Sequence, residues 1–147
     1  MDCRDDDVKG GNIVGSLHLP DSEFSLESVE TILSEIEKRK LSRDVAVVFH
    51  CMESARRGPR CARRFHEMLK IWNNHDWNIT VRVLTGGFDQ WIRTYYDTKW
   101  IENYDDEYWG FEETRRIWNE KFHKDYERPE DQPKTPWSDA GSSFNKT

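Results

Sequence analysis

The chain has 147 residues, a formal net charge of −6 and 35% hydrophobic residues. That is enough for one domain with a modest core, and the acidic balance argues against a nucleic-acid or membrane-surface role. No stretch approaches the roughly 20 consecutive apolar residues of a membrane span, so a monomer of the cytoplasm or nucleus is the expectation. Seven tryptophans and seven phenylalanines make the core aromatic-heavy. None of the five histidines stands at ligand spacing and no Cys-x2-Cys pair exists, so no metal site is expected. Three cysteines without a signal peptide do not read as a disulfide framework.

In chain order, residues 1–4 read as the stub of a strand and 13–17 as a short strand. A helix follows over 26–40. Ser25 is its N-cap, Ser28 and Glu30 lie in its first turn, and Leu26, Val29, Ile32, Leu33 and Ile36 form its apolar stripe before Lys38-Arg39-Lys40. Val45-Ala46-Val47-Val48-Phe49 is a continuous apolar, β-branched run, which reads as a buried strand of a parallel sheet. Residues 57 to about 72 predict a helix with Pro59 tolerated in its first turn. A strand over 79–84 and a closing helix over 88–96 complete an α/β alternation. The character changes near residue 102. An acidic and aromatic extension over 103–127 has helical periodicity at 111–124, and 128–147, with three prolines, reads as disordered.

The chemistry concentrates between the strand and the helix at 45–72. Cys51 and Arg57 stand at the two ends of one loop, with Met52, Glu53, Ser54, Ala55 and Arg56 between them. Unpaired amides at a helix N-terminus point at such a loop and favour an anion. Cys51 is therefore expected to ionise more readily than a free thiol, and a tetrahedral oxyanion to find donors ready. Arg57 can clamp two oxygens in a bidentate fork. His50 precedes the nucleophile and so points to the opposite face of the sheet; its expected role, like that of Gly58, is to support the loop. Ser54 can donate to a thiolate, or bond local backbone instead. Glu53 is the one carboxylate in the loop and a candidate general acid, with solvation at the loop tip as the plainer fate. Cys61 falls one turn into the helix.

His50-Cys51-x-x-Ser54-x-x-Arg57-Gly58-Pro59 resembles the active-site loop of the rhodanese-fold arsenate reductases and the related M-phase inducer-like phosphatases. Asp2-Cys3-Arg4-Asp5 with Gly11-Asn12-Ile13-Val14-Gly15-Ser16 is similar to a second family stretch, Asn12 replacing its usual histidine. Val83-Leu84-Thr85-Gly86-Gly87-Phe88-Asp89-Gln90-Trp91 is similar to the close of a rhodanese domain. The resemblance implies an α/β, rhodanese-like three-layer domain over 1–102 with a mostly parallel central sheet. It also implies missing elements, since another helix and strand normally precede the Asp2-Cys3-Arg4 strand, leaving a truncated start or an open edge. Sulfurtransferases of this fold typically carry a loop one residue shorter, so the resemblance implies attack by Cys51 on phosphorus of a phosphorylated protein or on arsenic of a small oxyanion. No cofactor is implied beyond glutathione and glutaredoxin as electron donor for an arsenate reductase. Cys3 matches a family position that can form a disulfide with the catalytic cysteine, making it a candidate resolving thiol. Two alternatives stay open: a sulfurtransferase carrying persulfide on Cys51, and a non-catalytic module that binds phosphopeptides.

Overall fold

A computed structural model of the protein describes residues 1–39, 43–72, 76–95 and 98–109. The expected helix at 111–124 and the tail at 128–147 lie outside them. Helix α1, Leu26–Lys38, begins at Ser25, whose N–H donates to Ser28 Oγ at 3.1 Å. This satisfies a donor at the helix mouth that no backbone carbonyl can reach. Its buried face is Val29, Ile32, Leu33 and Ile36. Leu26, placed on that stripe from the sequence, is half exposed because it lies ahead of the first core turn.

Strand β1, Asn12–Ile13, is shorter than the 13–17 expected. Gly15 at φ 66° and the Ser16 N–H bond to the Ile13 carbonyl turn the chain there. Strand β2, Asp44–Phe49, pairs in parallel with β3, Asn78–Val83, in the register Asp44 opposite Asn78 through Phe49 opposite Val83. Residues 1–4 add to this sheet. Asp2 bridges in parallel to both His50 and His18, through Cys3 N–H to His50 O at 2.7 Å and Leu19 N–H to Asp2 O at 2.9 Å. The parallel order is thus 17–19, 1–4, β2, β3. A separate antiparallel pair joins β1 to β4, Ile101–Glu102.

Helix α1 and helix α2, Arg57–Ile71, share one core with the Val45, Val47 and Phe49 face of β2. Phe49 packs between Phe24 and Phe65 at ring separations of 6.0 and 5.4 Å; burial of such a ring contributes about 2–3 kcal/mol. The opposite face of β2 is open: Ala46 and Val48 are exposed. The expected buried strand is therefore buried on one face only, because β-branched residues suit any pleated strand and do not report whether a second layer covers it. A third layer is present farther along the sheet. Cys3 belongs to the core and Arg4, one residue on, faces the other way, where its guanidinium lies 3.8 Å over the ring of Phe88 in helix α3, Gly87–Tyr95. Arg4 is fully buried and held by Asp2 at 2.6 Å and by the Gly11 carbonyl at 2.8 Å. Trp109 also packs on Phe88, its ring 6.2 Å away and its indole N–H donating to Gly10 O at 2.7 Å.

Candidate active site

Parallel pairing delivers Cys51 at the end of β2, and α2 begins at Arg57. Between them Ser54 adopts φ 56°, a left-handed conformation that turns successive amides to one side. Its Oγ accepts the Cys51 N–H at 3.4 Å, so Ser54 ties the loop to itself. The loop is also held from outside. Phe88 N–H donates to Cys51 O at 2.9 Å and Asp89 N–H to Met52 O at 2.8 Å. These are free donors of the first turn of α3. Because a trans peptide opposes its C=O and N–H, the amides of Met52 and Glu53 are directed away from α3. The approach is close enough to require glycine: a methyl on Gly87 would lie 2.5 Å from Cys51 O, at φ 59°. Gly58 is similarly pressed, with a methyl there meeting Cys51 N and His50 Cα at 3.3 Å.

Arg57 is one-quarter exposed and bound by two carboxylates. Its Nη1 donates to Asp5 Oδ2 at 2.9 Å and Asp7 Oδ1 at 2.6 Å, and its Nη2 to Asp7 Oδ2 at 2.5 Å. These bonds, Asp7 first, raise the guanidinium pKa further despite partial burial, and the neighbouring Cys51 adds to the effect. Asp7 is correspondingly lowered by Arg57, and Asp5 is lowered first by the Ser22 N–H and then by Arg57.

His50 is buried, and desolvation lowers its pKa to about 4 despite Asp2. The 3.8 Å approach of Nδ1 to Asp2 is therefore no ion pair at neutral pH, and neither ring nitrogen has a hydrogen-bond partner among the described residues. The backbone of His50, rather than its ring, ties the loop base to residues 1–3. Glu53, Ala55 and Arg56 are exposed, Met52 is half-buried, and Cys51 is buried. The Cys3 backbone lies against His50, while its thiol interacts with Cys61 in the core. That hydrogen bond, burial and Asp21 all push the Cys61 thiol up. All three thiols are free.

Sequence reasoning missed four contributors. Asp5 and Asp7 hold Arg57, and the signal available was an acidic run directly after a strand that the resemblance brings to the loop. Asp21, buried, binds Arg60 and receives the Cys61 thiol at 3.3 Å. Gly87 reads from the sequence only as part of a domain-closing segment, with no role at the loop.

Three comparisons bear on this geometry. The dual specificity phosphatase ibp1 of Schizosaccharomyces pombe is 30% identical over 122 residues, 71% of this chain and 82% of that protein. The structure of the As-Sb reductase from Leishmania major aligns with a TM-score of 0.57 at 30% identity, covering 69% of this chain and 68% of that one. Ygr203w, a yeast protein tyrosine phosphatase of the rhodanese family, aligns with a TM-score of 0.60 at 26% identity, covering 74% and 78%. Residues 1–94 match the family described as Rhodanese-like domain, which spans the central strand, the Cys51 loop and the α3 turn that holds it: the chain belongs to the rhodanese-like family.

Proposed function

We propose that this protein is a cysteine-dependent phosphatase, an arsenate reductase, or both, acting on a phosphorylated protein or a small oxyanion in the cytoplasm or nucleus. The observation that carries the reading is the five-residue loop between Cys51 and Arg57, with the Cys51 and Met52 carbonyls bound by α3. In the phosphatase direction the Cys51 thiolate attacks phosphorus in line, and the P–S bond forms as the P–O bond to the leaving group breaks. Glu53 is the candidate acid that protonates the departing oxygen. Arg57 and the loop amides stabilise the charge on the equatorial oxygens. Water then attacks the phosphocysteine, releasing phosphate and restoring the thiolate. With arsenate, the thiolate displaces an oxygen from arsenic, and the two electrons that reduce As(V) to As(III) come from thiols, with glutathione and glutaredoxin as donors.

Loop length favours this over sulfur transfer, and a pure binding module would have no use for the thiol. Cys3 is proposed as a resolving thiol: peroxide oxidises Cys51 to the sulfenic acid, and the Cys3 thiol then forms the disulfide with loss of water. The test of the main reading is a side-by-side assay of the purified chain with para-nitrophenyl phosphate, with arsenate plus glutathione and glutaredoxin, and with thiosulfate plus cyanide. Turnover confined to thiosulfate would overturn it.

A further inference from the structure

The guanidinium of Arg57 has five N–H donors in one plane. Asp7 takes one from Nη1 and one from Nη2, and Asp5 takes the second Nη1 donor. What remains uncommitted among the described residues is one edge, made of Nε–H and the last Nη2–H. This is the edge that presents two parallel donors to an oxyanion. The carboxylates are themselves fixed. Asp5 Oδ1 accepts the Ser22 N–H at 3.0 Å, and Asp7 Oδ1 accepts the Asp5 N–H at 3.0 Å. Asp5 precedes and Asp7 lies within the turn Asp6–Val8 that directly follows the central strand, so the segment leaving the strand that supports the loop base carries the groups that hold its arginine.

We propose that Asp5 and Asp7 are positioning residues that lock Arg57 with its Nε/Nη2 edge open to the substrate oxyanion. The inference rests on the reading of Arg57 as the clamp. It differs in sign from a purely electrostatic view. One arginine against two carboxylates leaves a local charge of −1, so if net charge governed binding, removing a carboxylate would tighten the hold on an anion. If orientation governs, removing it loosens the hold, because a guanidinium free to swing must be ordered anew for each substrate. Both carboxylates are held ionised by their partners, so the lock is present throughout the neutral range.

The experiment is a double-mutant cycle on the full chain with Asp7→Asn, Arg57→Ala and the pair, and with Asp5→Asn as a second single variant. Two readouts are used: kcat and KM for para-nitrophenyl phosphate, and protection of Cys51 from iodoacetamide by inorganic phosphate. Asp7→Asn should lower kcat/KM by about tenfold and raise the protecting phosphate concentration by a similar factor, and Asp5→Asn should act in the same direction. In the Arg57→Ala background, Asp7→Asn should change phosphate protection by less than about twofold. Tighter phosphate protection in Asp7→Asn would overturn the proposal in favour of competition between carboxylate and oxyanion. An equal loss with and without Arg57 would show that Asp7 serves only the fold. Should Arg57→Ala itself leave both readouts unchanged, the clamp reading fails at its root; an effect of Arg57→Ala with none of Asp7→Asn sinks the positioning role alone.

Discussion

Replacing Gly87 by alanine separates the cost of a backbone conformation from the cost of displacing the Cys51 loop. The new methyl would lie 2.5 Å from Cys51 O and 2.8 Å from Met52 C, both backbone atoms that cannot rotate away. To reach ordinary contact the loop must retreat by about 1 Å. The bonds from Phe88 N–H and Asp89 N–H, now 2.9 and 2.8 Å, would then stretch beyond useful length, at about 1 kcal/mol each. Alanine at φ 59° adds about 1–2 kcal/mol, for a total of about 3–4 kcal/mol. A nucleophile displaced by that amount should lose about a hundredfold in kcat/KM. Gly86→Ala is the control. Its φ of 73° carries the same conformational penalty, but the methyl meets the side chain of Gln90 and not the loop. Urea unfolding and para-nitrophenyl phosphate kinetics on both variants decide the matter. The expected pattern is two destabilised proteins of which only Gly87→Ala is catalytically crippled; equal activity in the two would refute the claim that close approach to the loop is what demands glycine.

Arg57→Lys should cost on the order of 3 kcal/mol of transition-state stabilisation, or about a hundredfold in kcat/KM, since an ammonium cannot hold two carboxylates and an oxyanion in one plane; near-normal kinetics would remove Arg57 from the mechanism. Cys51→Ser should abolish turnover while inorganic phosphate still binds, as read by calorimetry. With His50 at about 4 when folded and 6.5 when unfolded, the unfolded chain binds more protons between those values. Stability should therefore fall as pH drops from 6.5 toward 4, by about 3 kcal/mol in full, and His50→Asn should flatten urea midpoints across that window. Below the ordinary carboxylate pKa of 3.8 the lowered Asp5, Asp7 and Asp21 cause a further loss that His50→Asn retains. Among the thiols, iodoacetamide should modify Cys51 first at neutral pH, while Cys61, fully buried and shifted upward, stays unmodified until the chain unfolds; mass mapping that finds Cys61 labelled as fast as Cys51 would contradict the activated-thiolate reading.

Local signals carried much of this fold because they are local in cause. Ser25 and the stripe from Val29 to Ile36 specify α1 within a single helix, and the run ending at Phe49 followed by Arg57-Gly58-Pro59 marks a strand, a loop and a helix start. That Cys51 and Arg57 stand at the two ends of one loop was legible because their spacing is local. The contacts that tune them were not, since they join distant segments: Asp5 and Asp7 reach Arg57 across 52 and 50 positions, and nothing in an acidic run states which cation it meets. The open face at Ala46 and Val48 was unreadable for a related reason, because coverage of a strand is decided by other elements. The extent of 13–17 was misjudged at Gly15, whose turn ends one pairing before Leu17–Leu19 begins another.

The central place of residues 1–4 has a kinetic consequence. Asp2 bridges at once to His18 and His50, so this strand can be captured only after the chain has closed a loop of nearly fifty residues. Helices α1 and α2 and the β2–β3 pair have more local or more apolar reasons to form early, whereas seating residues 1–4 also requires the Asp2–Arg4 pair to leave water. Residues 1–4 are therefore expected to seat last, together with the loop base at His50 and the meeting of Asp5 and Asp7 with Arg57. On this view Cys3→Ala destabilises by speeding unfolding with little effect on the folding rate, and catalytic competence in a refolding experiment trails the recovery of helix signal.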